Sequence, residues 1–213
     1  MEKVYLFDMD GTLIDSMPYF SGGVLALLDA EGLSYPPDIV KIVTPLGYAG
    51  TARYLVNMGA KRQEQELVQA MGDYLFHAYQ NEIPLKPGVR DCLLRLKAAG
   101  SRLAVLTASP HRVTDPCLKR NGVWELFDRV WSTDDFGLTK SQPEIFIRAA
   151  RELGVQPEDV VFFDDNLGAL ETAKKAGMTT VGVYDASSDD YADQIRSIVD
   201  RYLVDYGEYF SLS

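Results

Sequence analysis

The sequence predicts an α/β protein: a doubly wound parallel sheet whose first strand is followed by an inserted all-helical segment. Short apolar runs, which suit strands buried on both faces, alternate with amphipathic stretches that end at Pro or Gly. Residues 16–83 do not alternate, because their apolar residues recur at helical spacing alone. With 213 residues, 46% of them hydrophobic, the chain is long enough for one well-cored domain and a smaller second one.

The predicted strands are short and separated by helical patterns, which favours parallel pairing. They are Lys3–Asp8, Arg102–Thr107, Arg129–Ser132, Val160–Asp164 and Thr179–Tyr184, with a weaker one at Tyr202–Val204.

The helices between these strands have recognisable ends. Pro87 suits the first turn of a helix that Gly100 closes, and Pro143 and Gly154 bound a later one in the same way. Pro116 leaves two interpretations open: a helix begins there with Asp115 as its N-cap, or the helix kinks there.

The helical insert divides the chain into two predicted domains, a core of residues 1–15 and 84–213 and an insert of residues 16–83. Within the insert, apolar side chains at helical spacing are more typical of a bundle core than of a ligand cage. They are Leu67, Met71, Leu75 and Ala78.

Composition narrows the possible partners. The net charge of −10 argues against nucleic acid or an anionic membrane as a general partner. No signal-peptide pattern is present, and no run approaches the roughly 18 apolar residues of a membrane span. Cys92 and Cys117 make neither a disulfide framework nor a zinc site, so we expect buried thiols. A cytoplasmic monomer is the default expectation.

Polar side chains gather where the predicted strands end. "VYLFDMDGTLID" places Asp8 and Asp10 after the first strand, and ligands of open parallel sheets bind beyond such ends. Other polar residues end or follow later predicted strands, so we expect them at the same edge of the sheet. They are Thr107, Lys140, Asp164 and Asp165.

Each of these residues also has an ordinary structural explanation, such as a turn, a helix N-cap or a solvated lysine. Together, however, four carboxylates at one edge repel each other by several kcal/mol unless a cation joins them. Mg²⁺ suits such oxygen ligands. A phosphate could then be held by Lys140 and the backbone amides around Ala108 and Ser109.

Four motifs in order resemble those of the haloacid dehalogenase-like superfamily in its phosphatase form: "DMDGTLID", "LTAS", Lys140 and "FFDDN". The resemblance covers essentially the whole chain. It implies a Rossmann-like core with a helical C1-type cap, as in phosphoglycolate phosphatase-like and β-phosphoglucomutase-like members. The third motif departs from the usual Lys-Pro-x-Pro, since Ser141 replaces the first proline. In the fourth motif, Asp164 stands where Gly or Glu is usual.

The resemblance implies a role for each residue. Asp8 would be the nucleophile that forms an aspartyl-phosphate, and Asp10 the general acid and base. Thr107 and Lys140 would hold the transferring phosphoryl group. The implied metal ligands are Asp8, Asp164, Asp165 and the backbone carbonyl of Asp10, and the implied phosphate-binding residues are Gly11, Thr12, Ala108 and Ser109.

The predicted function is therefore Mg²⁺-dependent hydrolysis of a small phosphorylated metabolite. A sugar phosphomutase of the same superfamily is the nearest alternative, but Phe20 stands where those mutases carry a histidine. A receiver domain fits poorly, because it lacks an insert of this size. A non-catalytic phosphate-binding relative is the other alternative, although all four motif positions are filled.

Substrate selection is predicted to lie in the insert. The glycine-rich stretch Thr44–Leu55 is interpreted as a loop, with Tyr48 and Arg53 as substrate contacts or, equally, as ordinary surface residues. His77 and His111 are interpreted as structural or exposed. The tail from Asp185 to Ser213 is expected to pack a last helix and strand on the sheet, and it gives no functional signal.

Overall fold

The computed structural model describes residues 3–210, with the backbone alone for Pro45; Met1, Glu2 and residues 211–213 of the predicted tail lie outside this range. The chain divides into two compact units, Met1–Asp15 with Pro84–Ser213 and Ser16–Ile83. We call the first the core unit and the second the helical unit.

The core unit is built on a parallel six-stranded sheet in the order β3-β2-β1-β4-β5-β6. The strand order changes direction beside β1, which is the point where open parallel sheets bind ligands. Every residue of β1 is buried, as its unbroken apolar run predicts. The strands are β1 Val4–Phe7, β2 Arg102–Thr107, β3 Arg129–Ser132, β4 Val160–Asp164, β5 Thr179–Val183 and β6 Arg201–Leu203.

Register aligns the ends of the central strands. Phe7, the last residue of β1, pairs with Val105 of β2 on one side and Phe163 of β4 on the other. The residues that follow these positions therefore emerge at one edge of the sheet. The predicted α/β fold with a doubly wound parallel sheet is confirmed.

The helices of the core unit begin and end close to the predicted Pro and Gly positions. One helix runs through Pro116 from His111, so the first of the two interpretations left open there, a start at Pro116, is wrong. The amides of Val113 and Thr114 already bond the Pro110 carbonyl, and the turn is formed before the chain reaches the proline. Helices are numbered along the chain, so α1 to α4 belong to the helical unit described below. The helices of the core unit are α5 Val89–Ala98, α6 His111–Arg120, α7 Pro143–Glu152, α8 Leu167–Lys175 and α9 Ala192–Ile198.

The helical unit contains helices and no strand among its described residues. Its core includes Leu67 and Met71, and Leu75 and Ala78 of the same helix are also buried, as their spacing predicts. The helices are α1 Met17–Glu31, α2 Ile39–Val43, α3 Gly47–Asn57 and α4 Glu64–Asn81.

The stretch Thr44–Leu55 is helical, so its interpretation as a loop is wrong. A 3₁₀ turn spans Thr44–Leu46, and α3 follows directly. Thr51, Ala52 and Leu55 form its buried face, and this packing outweighs the low helix propensity of its glycines.

Cys92 and Cys117 are free and buried, as expected. Burial raises the pKa of Cys92 to about 12 and that of Cys117 to about 11, so neither is a ready nucleophile at neutral pH. Among residues 3–210, no helix is long and apolar enough to cross a membrane.

Candidate active site

The first strand leads directly into the site. The Asp8 amide donates to the Phe163 carbonyl at 2.8 Å, so Asp8 leaves the sheet beside β4. Gly11 follows with φ of 73°, and a Cβ atom there would lie 2.7 Å from Oδ2 of Asp165. Both the positive φ and the close approach require glycine. The loop after β1 thus packs directly against the carboxylate of Asp165, which follows β4.

Three buried carboxylates meet at this edge. Oxygen atoms of Asp8, Asp164 and Asp165 all lie within 4.8 Å of one another. The parallel pairing of β1 with β4 explains why these carboxylates meet. Asp8 directly follows β1, Asp164 is the last residue of β4, and Asp165 directly follows it. Such a group of hard oxygen ligands is the kind that Mg²⁺ prefers.

Lys140 joins two of these carboxylates. Its ammonium donates to Oδ1 of Asp8, and to Oδ2 of Asp164 at 2.9 Å. Burial lowers the pKa of Lys140, but attraction to Asp164 and Asp8 outweighs burial and raises the pKa above its usual value. Lys140 therefore stays protonated at neutral pH.

One ammonium does not balance this cluster. Burial raises the pKa of Asp8 well above its ordinary value despite Lys140, and repulsion from Asp164 and Asp165 adds to the rise. Burial, followed by repulsion from Asp164 and Asp185, raises the pKa of Asp165 to about 7. The site thus holds more acidic groups than its own cation can neutralise, and a divalent cation with oxygen ligands fits it.

Asp10 and the end of β2 form a second part of the site. The Ser109 hydroxyl donates to Oδ2 of Asp10 at 2.6 Å, and the Ser109 amide donates to Oγ1 of Thr107 at 3.0 Å. Thr107 is buried, whereas Ala108 is exposed. The side chain of Asp10 is therefore oriented by the second motif.

The fourth motif is also fixed by local bonds. The Asn166 amide donates to Oδ1 of Asp164 at 2.7 Å, and the Asn166 side chain caps α8 by accepting from the Ala169 amide. Thr12 donates to Oδ1 of Asp165 at 3.0 Å. Both carboxylates are thus held in place by neighbouring donors.

Two further side chains bond the loop after β1 and two more bond its neighbours, and the sequence analysis missed all four. Lys86 donates to the Gly11 carbonyl at 2.7 Å and to Oδ2 of Asp185 at 2.8 Å. Ser188 donates to Oδ2 of Asp165 at 3.2 Å, and Tyr206 donates to the Thr12 carbonyl at 3.2 Å. Their partners lie 23 or more residues away in sequence, so no local pattern marked them.

The residues predicted in the insert belong to the helical unit. Tyr48 is exposed, and Arg53 donates to Oε1 of Glu64 at 3.2 Å. The histidines behave as predicted: exposed His77 pairs with Glu82, and His111 contacts Asp115 and Asp135.

Comparisons with known proteins identify the family. Residues 2–177 match the model described as a haloacid dehalogenase-like hydrolase, so the chain belongs to that family. N-acetylmuramic acid 6-phosphate phosphatase of Pseudomonas aeruginosa is 29% identical over 85% of this chain and 81% of its own. Phosphoglycolate phosphatase of Psychrobacter arcticus is 27% identical, with 92% and 89% covered.

Solved structures are similar over the full length. The structure of CbbY from Rhodobacter sphaeroides in complex with phosphate is 25% identical, has a TM-score of 0.75 and covers 99% of this chain and 97% of that chain. The predicted family and the predicted class of enzyme, a phosphatase, are confirmed.

Proposed function

We propose that this protein is a Mg²⁺-dependent phosphomonoester hydrolase that forms an aspartyl-phosphate on Asp8. The observation that carries the proposal is the Lys140 ammonium, which bonds Asp8 and Asp164 inside a buried group of three carboxylates. Phosphoryl transfer uses a nucleophile and positive groups at one point, and the contact between the Asp8 carboxylate and the Lys140 ammonium supports this role.

The reaction divides into two displacements. A carboxylate oxygen of Asp8 attacks phosphorus, the bond to the leaving alcohol breaks, and Asp10 gives that oxygen a proton. Water then gives its proton to Asp10 and attacks the aspartyl-phosphate, which releases inorganic phosphate and restores Asp8. The bond from Ser109 to Asp10 supports this role, because it orients the carboxyl that serves both steps.

Asp8, Asp164, Asp165 and the backbone carbonyl of Asp10 would hold the metal. A bound Mg²⁺ offsets the charge of the acids and of the phosphate dianion, which otherwise repel each other. Lys140 offers the transferring oxygens a second positive group, and Thr107, Gly11, Thr12, Ala108 and Ser109 are the proposed phosphate contacts.

The helical unit is the proposed cap that selects the leaving group. Two relatives are named for N-acetylmuramic acid 6-phosphate and for phosphoglycolate. These names favour a small phosphorylated metabolite as substrate. Tyr48 and Arg53 are the proposed contacts, since both present exposed polar groups on α3.

A substrate panel with intermediate trapping tests the proposal. The enzyme is incubated with Mg²⁺ and phosphorylated sugars and acids, phosphate release is measured, and acid-quenched protein is mapped by mass spectrometry. We expect release from at least one monoester and a phosphoryl group on Asp8. A phosphoryl group trapped on any other residue would reverse the assignment.

A phosphomutase is the competing activity within the family. Phe20, in the position of the mutase histidine, packs edge-on against Tyr79 inside the helical unit and offers no proton. With β-glucose 1-phosphate and a trace of the bisphosphate, we expect inorganic phosphate. Steady accumulation of glucose 6-phosphate without matching phosphate release would favour the mutase instead.

A further inference from the structure

Tyr206 comes from the C-terminal segment and reaches the loop that follows β1. It begins the 3₁₀ turn Tyr206–Phe210, and 2% of its surface is exposed. Its ring stacks on Phe163 of β4, with centroids 6.2 Å apart and an angle of 13° between the planes. Its hydroxyl donates to the Thr12 carbonyl at 3.2 Å, across 194 residues of sequence.

Thr12 connects this hydroxyl to the acidic cluster. Thr12 is fully buried, and its own hydroxyl donates to Oδ1 of Asp165 at 3.0 Å. The Thr12 carbonyl accepts from Tyr206 while its side chain orients Asp165. A shift of the Thr12 backbone would therefore change the position of the donor that fixes the carboxylate.

The adjoining carbonyl is held in the same manner. Lys86 donates to the Gly11 carbonyl at 2.7 Å and also to the Tyr184 carbonyl at 2.7 Å. The loop after β1 already lies close to the carboxylate of Asp165, since a Cβ atom on Gly11 would be 2.7 Å from it. The loop therefore has little room to move toward the three carboxylates. Two successive carbonyls of the first motif are thus fixed by side chains that lie outside all four motifs.

We propose that Tyr206 is a positioning residue for the metal site: it holds the Thr12 carbonyl, and through the Thr12 hydroxyl it sets the orientation of Asp165. This inference rests on the proposed function, which makes Asp165 a metal ligand. Groups that orient metal ligands alter metal affinity without touching the ion. The competing explanation is that Tyr206 contributes its ring to the core beside Phe163 and nothing more.

The Tyr206→Phe variant separates these explanations, because it keeps the ring and removes the hydroxyl. Mg²⁺ is titrated into the metal-free, full-length protein by calorimetry. We expect about tenfold weaker Mg²⁺ binding than in the unaltered protein. The fitted stoichiometry reports the folded fraction, so a loss of stability is distinguished from a loss of affinity.

Tyr209→Phe is the matched control. Tyr209 also packs on Phe163, with centroids 5.3 Å apart, but its hydroxyl pairs with Tyr5 rather than with the loop. We expect Mg²⁺ affinity within about twofold of that of the unaltered protein, since the loop keeps its donors. An equal loss in both variants would mean that removing a tyrosine hydroxyl near Phe163 weakens Mg²⁺ binding whatever its partner, and it would overturn the inference.

A double-mutant cycle with Thr12→Val tests the route. If Tyr206 acts through Thr12, then Tyr206→Phe should change Mg²⁺ affinity little once the Thr12 hydroxyl is gone. Additive losses of Mg²⁺ affinity in the double variant would overturn the inference. Unchanged Mg²⁺ affinity in the single variant Tyr206→Phe would overturn it as well. In both cases the proposed function stands. Failure of the unaltered protein to bind Mg²⁺ would overturn the metal site itself and this inference with it.

Discussion

The sheet edge of the core unit and helix α3 of the helical unit hold their charged residues in opposite ways. At the sheet edge, the side chain of Asp8 is 10% exposed and that of Lys140 is 13% exposed, and the two are bonded to each other. In the helical unit, Arg53 has 68% of its side chain exposed and pairs with Glu64, which is itself 40% exposed. The sheet edge therefore fixes charges away from solvent, and α3 presents them to solvent.

This difference shows where each part of the function is expected to lie. Interactions between buried charges are strong, and loss of one partner leaves the other uncompensated. Exposed pairs contribute little to stability, so such residues can change without harming the fold. We therefore expect the chemistry to lie in the core unit, and we propose that the helical unit varies substrate selection.

The largest expected effect is the loss of the nucleophile. Asp8→Asn should reduce kcat for an aryl phosphate by roughly 10⁴-fold or more, because the amide does not form the aspartyl-phosphate. Steady-state phosphate release measures it, and no phosphoenzyme should be trapped. Asp91→Asn, at an exposed position in the first turn of α5, is the control and should retain activity. Substantial turnover by Asp8→Asn would remove Asp8 from the mechanism.

The next effect concerns buried charge in the core unit. Lys86→Met leaves Asp185 buried without its ammonium, and we expect the free energy of unfolding to fall by about 3–5 kcal/mol. Urea unfolding followed by circular dichroism measures this change.

Lys174→Met is the matched control for Lys86→Met. Lys174 also bonds a carbonyl, that of Ile198, and an aspartate, Asp200, but about half of each charged side chain is exposed. We expect a loss of at most about 1 kcal/mol. Equal losses in the two variants would show that burial does not distinguish these pairs.

A smaller effect is expected from α3. Tyr48→Ala and Arg53→Ala should each lower kcat/KM for the preferred metabolite by about tenfold, as expected for a lost substrate contact, and leave a small aryl phosphate almost unaffected. Point variants are preferable to deletion of the segment, since Thr51, Ala52 and Leu55 are buried. A parallel loss for both substrates would contradict a role in selection.

The smallest effect is a pH dependence within the helical unit. Glu31 accepts from the Arg62 side chain and from the amides of Lys61 and Arg62, and these bonds lower its pKa below the ordinary 4.5. The lowered pKa stabilises the fold above pH 4.5, and this contribution disappears as pH falls through the folded-state value.

Glu31→Gln should therefore reduce stability at pH 7 and flatten its decline in acid. Thermal unfolding between neutral and acidic pH measures both. Glu64→Gln, which alters an exposed pair, should leave the profile of the unaltered protein nearly intact. An unchanged slope in Glu31→Gln would show that this carboxylate does not contribute.

The sequence predicts the sheet well because its strands are buried apolar runs with Pro and Gly at the helix ends. It also predicts the edge where Asp8, Lys140 and Asp165 meet, since parallel strands align their carboxyl ends. It misleads at Thr44–Leu55, where glycine suggested a loop but a buried face stabilises a helix. Tyr206 escapes prediction for another reason: its bond to Thr12 spans 194 residues.

The proposed hydrolysis of a phosphomonoester at the sheet edge needs both a divalent cation and Asp8. Its most direct test is phosphate release from an aryl phosphate by the metal-free enzyme, measured with excess chelator and then with added Mg²⁺. We expect the activity to disappear with the chelator and to return with Mg²⁺, because the buried carboxylates otherwise repel the phosphate. Full activity in excess chelator would contradict it.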